Sequence, residues 1–470
     1  MRLERDSLGT KRLPATAYYG IQTQRAVENF PISGLRLPLQ MVRAVVEIKR
    51  AAALTNRRLG LLSATRTRAI IRACDEILAD RFRDQFVVDA FQAGAGTSFH
   101  MNVNEVLANR AAELLGGRKG DTRLVHPNDH VNMAQSTNDV IPTAIRLSAL
   151  ALQAELSVSL DLLEHALAGK GRQFGRVVKS ARTHLQDAVP IFLGDTFTAY
   201  AIVVRKAHRR IREQAERLHE LNLGATAVGT GLNAHPRYRA LAIRELSRRL
   251  RLPLHPAEHL PEITQSMSDG VALSGALRGL AVELIRLAND LRLMSSGPNT
   301  GFAEIELPAM QPGSSIMPGK VNPVMAEVTN MVSFQVIGND LAITLAAQAG
   351  QLELNVMMPL IAHNLLQSLL ILTSVTRQLA TKCIKGITAD AALCRAHAER
   401  SLAIVTALNP HIGYQAAATV AKHAMRKREL IRQIVVEEGL LPAAEAARIL
   451  DPERLARGSS APLPPARRRR

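Results

Sequence analysis

The sequence contains no tryptophan and few other aromatic residues. Aromatic side chains make up 3% of the 470 residues, whereas hydrophobic residues make up 47%. A large core, and more than one domain, must therefore be built from Leu, Ile, Val, Ala and Met, which favours long packed helices over sheets. The scarcity of aromatics also argues against a surface on which nucleic-acid bases stack.

Cysteine is scarce as well. The three cysteines, Cys74, Cys383 and Cys394, are irregularly spaced, which argues against a disulfide framework and against a zinc site. The amino-terminal segment MRLERDSLGT is charged and lacks the apolar region of a signal peptide. We therefore expect a cytoplasmic protein with reduced thiols.

One long stretch, Leu354 to Thr376, has no formal charge. It contains three amide side chains, a histidine and a proline, all of which are costly in hydrocarbon. The stretch therefore predicts a helix buried on all sides in a bundle, and no membrane partner is expected.

The formal net charge is +18, which could attract an anionic partner. Much of the charge is arginine on amphipathic helical patterns, where a solvated helix face explains it. A nucleic-acid-binding protein remains an alternative, although nucleic-acid motifs are absent. Residues 456–470, with four terminal arginines at 467–470, are predicted to form a disordered basic tail.

Hydrophobic periodicity predicts a mainly all-α protein, with residues 1–40 irregular and no alternating strand pattern visible. Composition and pattern changes place a mostly helical amino-terminal domain at 1–135, a central helix bundle at 136–390 and a small helical domain at 391–455. The predicted helices cover residues 41–59, 65–78, 101–115, 141–168, 193–219, 271–293 and an almost continuous 323–383 with a kink at Pro359.

Four polar segments interrupt the apolar helices. They are Gly94–Asn102, Asn132–Asp139, Arg182–Asp187 and Gly313–Pro323. The Ser-Thr-Asn-Asp run of the second segment is also typical of a helix N-cap. A further glycine-rich stretch, Gly224–Asn233, lacks the spacing of a dinucleotide-binding loop and follows no predicted strand.

The segment Gly313–Pro323, with the sequence GSSIMPGKVNP, is the most informative. Its glycines permit flexibility and its prolines restrict the conformations available, so that Ser314, Lys320 and Asn322 are presented together. A lysine with hydroxyl and amide donors suits a small carboxylate whose charge grows during a reaction. A tight turn between helices is the structural alternative.

This segment is similar to the signature of the fumarase/aspartase superfamily. The similarity extends in family order from about Leu3 to about Leu450, through NEVLANRAAELLGG, HPNDHVNMAQSTNDVIPTAIR, RTHLQDAVP, ATAVGTGLN, GQLELNV and TALNPHIGY. The resemblance implies elimination of ammonia or water from a C4 dicarboxylate to give fumarate. It also implies a three-domain helical fold with a twenty-helix core in a homotetramer, active sites shared by three subunits, and no metal or organic cofactor.

The resemblance also implies roles for individual residues. Ser314 would be the general base that removes a Cβ proton, with its oxyanion stabilised by backbone N–H groups of a closing loop. Lys320 and Asn322 would hold the carboxylate next to that carbon. Thr183 and His184 would bind a substrate carboxylate from another subunit, with His184 paired to Glu327, one helical turn after Lys320. The rest of the pocket and the departing group would be held by Thr97, Ser136, Thr137 and Asn138.

Several blocks resemble aspartases more than fumarases. Tyr19-Gly20-Ile21 stands where fumarases usually have Trp-Gly-Ala, and Gln351-Leu352 where they have His-Phe. Other positions depart from the aspartase pattern: Met357-Met358-Pro359 lacks a common glutamate, and Ser180-Ala181 precedes Arg182 where a glycine is usual. Ammonia elimination is therefore favoured, with water elimination or another C4-dicarboxylate lyase as alternatives.

Overall fold

The computed structural model describes residues 1–458, so residues 459–470 of the predicted basic tail lie outside the described residues. The predicted start of that tail at 456 was wrong, because Ala456 is the last residue of a helix. The described chain is mainly α-helical, as predicted. Its helices are α1 (Ile21–Asn29), α2 (Leu39–Arg58), α3 (Ala64–Leu78), α4 (Thr97–Leu114), α5 (Thr137–Gln173), α6 (Leu193–Ala215), α7 (Tyr238–Leu250), α8 (Leu260–Gln265), α9 (Ser268–Met294), α10 (Val324–Gln348), α11 (Met358–Gln378), α12 (Ala391–Arg400), α13 (Asn409–Ile412), α14 (Tyr414–Lys427), α15 (Ile431–Glu437), α16 (Ala443–Ile449) and α17 (Pro452–Ala456).

Short strands add to the mainly helical fold, in segments where the sequence shows no alternating pattern. Four two-stranded sheets occur in the described residues, and the first hairpin and α1 also order much of the segment predicted to be irregular. The strands are β1 (Arg2–Asp6), β2 (Gly9–Leu13), β3 (Val178–Thr183), β4 (Gln186–Phe192), β5 (Glu220–Leu221), β6 (His255–Pro256), β7 (Ile305–Glu306) and β8 (Thr388–Ala389). The strands β5 to β8 are two residues long and cannot show a period of two.

The continuous helix predicted over 323–383 was also wrong. Helix α10 ends at Gln348 and α11 begins at Met358. The Asn355 side chain donates to the carbonyls of Ala346 and Ala347, which satisfies acceptors at the end of α10. Pro359 is the second residue of α11 and produces no kink, because a residue there needs no intrahelical N–H bond.

The chain forms two compact units, each made of three stretches. Unit 1 comprises Met1–Val158, Ala207–Ala281 and Val332–Thr373, and unit 2 comprises Ser159–Lys206, Val282–Met331 and Ser374–Arg470. The five longest helices, α5, α6, α9, α10 and α11, contribute residues to both units. The three domains predicted from the sequence, with boundaries at 135 and 390, are continuous segments of the chain. That division stays a prediction.

Each unit has an aliphatic core. In unit 1, α2 packs against α3 and α7, and Val45, Ile48 and Ile70 are fully buried. In unit 2, the carboxyl-terminal helices bury a separate cluster that includes Leu408 and Ile434. Aliphatic side chains at helical spacing therefore form these cores, as the scarcity of aromatics predicts.

The segment Met358–Gly386 is long and apolar enough to cross a membrane, but 61% of its apolar window is buried within the protein. This burial is the pattern of a core helix, which is the interpretation that its amides favour. The three cysteines are free and buried, and burial raises the pKa of each thiol to about 12. They are therefore unreactive core thiols.

Candidate active site

Ser314 lies in the loop that precedes α10. Its side-chain oxygen accepts hydrogen bonds from the backbone N–H groups of Ile316, at 3.2 Å, and Met317, at 3.0 Å. The side chain is half-buried, while the residues from Ser315 to Val321 are exposed. Two backbone donors on one hydroxyl oxygen are the arrangement that stabilises a serine oxyanion.

The two ends of this loop are fastened together. The N–H of Gly313 donates to the carbonyl of Lys320 at 2.8 Å, and the Asn322 side chain donates to the carbonyl of Gly313 at 2.7 Å. A Cβ atom at Gly313 would lie 2.6 Å from the Lys320 carbonyl oxygen, so this close approach needs glycine. The structure therefore brings Ser314, Lys320 and Asn322 into one loop, as the sequence indicates.

Glu327 lies in the first turn of α10, whereas Lys320 is in the loop, so the two are not one helical turn apart as expected. Thr183 and His184 lie at the tip of the β3–β4 hairpin. Within the described residues of the single chain, no hydrogen bond or ion pair joins His184 to Glu327. The pairing implied by the family therefore stays a prediction.

The hairpin tip is a two-residue turn. His184 has φ 56° and Leu185 has φ 57°, and both side chains are exposed. Positive φ at both central positions is the turn that matches the twist of a hairpin, but it is unfavourable for residues other than Gly, Asn and Asp. This strained conformation presents the His184 side chain to the outside of unit 2.

A buried carboxylate anchors the base of the same hairpin. Glu304 is 0% exposed and accepts from Arg182 at 2.7 Å, with Lys179 at 3.3 Å and His397 at 3.2 Å. Burial alone would raise the pKa of Glu304, but the two cations and the hydrogen bonds hold it below its ordinary value. Arg182 also stacks on the ring of Phe302, 4.1 Å from its centroid.

In unit 1, the amino termini of α4 and α5 lie side by side. Thr97 and Thr137 are the first residues of these helices, and a Cβ at Gly96 would lie 3.3 Å from Ile141. Helix amino termini carry unpaired N–H groups and a partial positive charge. This edge of unit 1 can therefore bind a carboxylate.

A buried aspartate organises the start of α5. Asp139 accepts from the backbone N–H groups of Ser136, Gly224 and Thr226, each at 3.0 Å. Burial raises the pKa of Asp139 to about 6, and those hydrogen bonds oppose the rise. The Asn138 side chain donates to the carbonyl of Ala227, so the glycine-rich stretch that begins at Gly224 supports the start of α5.

Sequence reasoning missed two residues that contact this edge. Lys49 in α2 is 0% exposed, and its Nζ lies 2.6 Å from Nε2 of His100 and 2.7 Å from Oδ1 of Asn132. Nδ1 of His100 lies 2.8 Å from the Thr137 hydroxyl. The available signal was a lysine next to Ile48 on the apolar face of α2, where charge is unusual.

The aspartase-like segment GQLELNV connects α10 with α11. It contacts the first polar segment, because the Ala95 N–H donates to the Val356 carbonyl at 2.7 Å. Gln351 is exposed, and Met358, which stands where a glutamate is common, is fully buried. The missing carboxylate is thus replaced by a core methionine.

The predicted site residues divide between the two units. Unit 1 holds Thr97, Ser136, Thr137 and Asn138, and unit 2 holds Thr183, His184, Ser314, Lys320, Asn322 and Glu327. In the described part of the chain, no group of three or more His, Cys, Asp or Glu side chains is arranged to hold a metal ion.

The chain matches two family models, a lyase family over residues 9–338 and the fumarase C carboxyl terminus over residues 404–457. It is 51% identical to an aspartate ammonia-lyase of Pseudomonas aeruginosa, covering 97% of this chain and 96% of that protein. An aspartate ammonia-lyase from a Bacillus species is 47% identical over 96% of this chain and 97% of its own length.

Solved structures agree with these relatives. A fumarate lyase:delta crystallin from Brucella melitensis bound to cobalt has a TM-score of 0.94 and 49% identity, covering 97% of this chain and 99% of that chain. A class II fumarase from Schistosoma mansoni has a TM-score of 0.93 and 39% identity, covering 97% of this chain and 99% of that chain. Family models, relatives and fold agree over nearly the whole length, and the chain belongs to the fumarase/aspartase superfamily of lyases.

Proposed function

We propose that the protein is an aspartate ammonia-lyase, a carbon–nitrogen lyase that reversibly eliminates ammonia from L-aspartate to give fumarate. The lyase chemistry depends on one observation above all: the Ser314 oxygen accepts two backbone N–H groups inside the GSSIMPGKVNP loop. The choice of ammonia is supported by the relatives of that name, which are 47–51% identical over nearly the full length.

In the proposed reaction, the Ser314 oxyanion takes the Cβ proton of L-aspartate. A serine is a poor base in water, because its conjugate anion is costly, and the N–H groups of Ile316 and Met317 lower that cost. The electron pair moves into the adjacent carboxylate, which becomes a doubly charged aci-carboxylate. Lys320 stabilises this charge more than it stabilises the substrate. The Cα–N bond then breaks, ammonia leaves and fumarate remains.

The remaining predicted residues would bind the substrate. Asn322, close to Ser314 through Gly313, would hold the carboxylate next to Cβ together with Lys320. Thr183 and His184 at the hairpin tip would bind a carboxylate, with Glu327 orienting His184. The hydroxyls and amide at the α4 and α5 amino termini would hold the rest of the substrate, through Thr97, Ser136, Thr137 and Asn138.

We also propose a homotetramer with active sites shared between subunits. Phe334, Leu341 and Leu345 recur on one face of α10 and are 58%, 61% and 53% exposed in the single chain. An exposed apolar stripe along a long helix is typical of a face that packs against another subunit. The buried free thiols agree with a cytoplasmic location.

Fumarase activity is the second candidate, because the Schistosoma mansoni class II fumarase shares the fold at 39% identity. A single assay separates the two functions. The purified protein is given L-aspartate or L-malate, and the ultraviolet absorbance of fumarate is followed. We expect fumarate from L-aspartate alone. Turnover of L-malate without turnover of L-aspartate would show that the protein is a fumarase.

A further inference from the structure

Lys49 is a buried cation whose hydrogen-bond partners are all neutral. It is 0% exposed, and its Nζ contacts His100 and Asn132. No carboxylate lies within ion-pair distance of Lys49 in the described residues. Burial lowers the pKa of Lys49, while the nearby charge of Asp139 opposes this shift. A cation kept in such surroundings is costly to the fold, and an anion bound nearby would offset the cost.

His100 connects this lysine to the candidate site. Its Nε2 lies 2.6 Å from Lys49 Nζ and its Nδ1 lies 2.8 Å from Thr137 Oγ1. Burial, together with the charge of Lys49, lowers the pKa of His100, so the imidazole is neutral. The line Lys49–His100–Thr137 thus runs from the interior of unit 1 to the first residue of α5.

The donor and acceptor groups of these three residues determine the direction in which each hydrogen bond is donated. With Lys49 as the ammonium, this group has donors only, and His100 Nε2 accepts from it. The neutral imidazole then carries its proton on Nδ1 and donates it to the Thr137 oxygen. The Thr137 hydroxyl must consequently donate its own proton to a different acceptor. A carboxylate oxygen can accept that proton, whereas a substrate ammonium group cannot.

We propose that Lys49 and His100 are positioning residues that make the Thr137 hydroxyl a donor to a substrate carboxylate, with the charge of Lys49 favouring the bound anion. This proposal rests on the proposed function and narrows it, because it assigns the proton of the Thr137 hydroxyl to a carboxylate oxygen of the substrate. Thr137 touches the substrate, while Lys49 and His100 act through it.

The test compares Lys49→Met, His100→Leu and His100→Gln. Succinate, a C4 dicarboxylate without a leaving group, is the probe for binding, measured by calorimetry and as a competitive inhibitor. A lost hydrogen bond to a charged group corresponds to about tenfold in affinity. We therefore expect Lys49→Met and His100→Leu to raise the succinate Kd and the KM for L-aspartate in parallel by about tenfold or more, with kcat changed far less.

The conservative variant supplies the decisive comparison. The Gln oxygen can accept from Lys49 while its NH₂ group donates to Thr137, so His100→Gln should bind succinate nearly as well as the parent protein. Lys170→Met is the matched control, since Lys170 is also a buried lysine with neutral partners, Gln173 and the carbonyl of Ile387. It should leave succinate binding unchanged.

Three results would overturn the proposal. These are unchanged succinate binding in folded Lys49→Met, unchanged binding in folded His100→Leu, and loss of binding in His100→Gln equal to that in His100→Leu. If Lys49→Met does not fold, the two His100 variants decide. If the parent protein does not convert L-aspartate, the proposed function fails, while succinate calorimetry on the same variants still decides this inference.

Discussion

The side-chain oxygen of Ser314 accepts a hydrogen bond from the backbone N–H of Met317 at 3.0 Å, within the loop that also presents Lys320. The donors for an oxyanion are thus oriented by the backbone of the loop itself. Preorganised donors contribute most where charge develops during a reaction. We propose that this contact, together with the fastened ends of the loop, lets Ser314 act as a base, which a serine does poorly in water.

We expect Ser314→Ala to abolish elimination. The substitution removes only the oxygen, so the loop keeps its glycines and its Gly313–Lys320 contact. Loss of a general base should lower kcat by about a thousandfold or more. The rate of fumarate formation measures the effect, and light scattering checks that the assembly persists. Ser157→Ala, at a serine that accepts from Gln153 on α5, is the control. A normal rate in Ser314→Ala would refute the assignment of the base.

We expect Gly313→Ala to reduce activity without unfolding the protein. The new Cβ would lie 2.6 Å from the Lys320 carbonyl oxygen, so the ends of the loop must separate. A shift of about 1 Å in a catalytic group can cost about a hundredfold in rate. The melting temperature should change little, because the loop is largely exposed. Gly169→Ala within α5, where the nearest atom is 4.0 Å away, should keep full activity.

We expect Glu304→Gln to destabilise the protein by about 3 kcal/mol, because it leaves the buried Lys179 and the partly buried Arg182 without their anion. The folded-state pKa of Glu304 is lowered, so the ionised carboxylate stabilises the fold fully above its ordinary pKa of 4.5. This contribution is lost as the pH falls through the lower, folded-state pKa.

Urea midpoints measured near neutral pH and at acidic pH check both statements. The difference between parent and Glu304→Gln should be large near neutrality and shrink in acid. Glu445→Gln, at a partly exposed glutamate 3.9 Å from Arg448, should change the midpoint very little at either pH. A difference that grows as the solution is acidified would contradict the assigned sign.

We expect Phe334→Asp to break the proposed tetramer. Phe334 is 58% exposed on α10 in the single chain, and a charge there could not be buried against a neighbouring subunit. Light scattering coupled to gel filtration should show smaller species, and activity should fall with assembly if the sites are shared. Met425→Asp, at a methionine 64% exposed on α14, is the control for the charge itself. If Phe334→Asp still forms the full assembly, this face of α10 is not part of the subunit interface.

The long helices were predictable because their signal is local and repeated. The pattern over 65–78 matches α3, Ala64–Leu78, and that over 271–293 matches α9, Ser268–Met294. The break between α10 and α11 was not predictable, because residues 349–357 are nearly as apolar as the helices around them. Asn355 ends α10 through its side-chain amide, and a single amide carries no periodic signal.

The candidate site was predictable only in part. Ser314, Lys320 and Asn322 are close in sequence, so one loop must bring them together. The turn at His184 and Leu185 lacks the Gly, Asn or Asp that usually marks positive φ, and the hairpin around it was missed. The only sequence indication for Lys49 was weak, because it consisted of one charged residue on the apolar face of a predicted helix.

The sequence by itself determined the helical class, the family and the loop that holds Ser314 with Lys320, since these depend on residues that are near one another or repeat along the chain. Only the tertiary structure decided that Lys49 lies behind Thr137 and that Glu304 anchors the hairpin of His184. Each of those arrangements joins residues at least fifty positions apart. Their energies come from burial and from the direction of single hydrogen bonds, which no local pattern of residue types encodes.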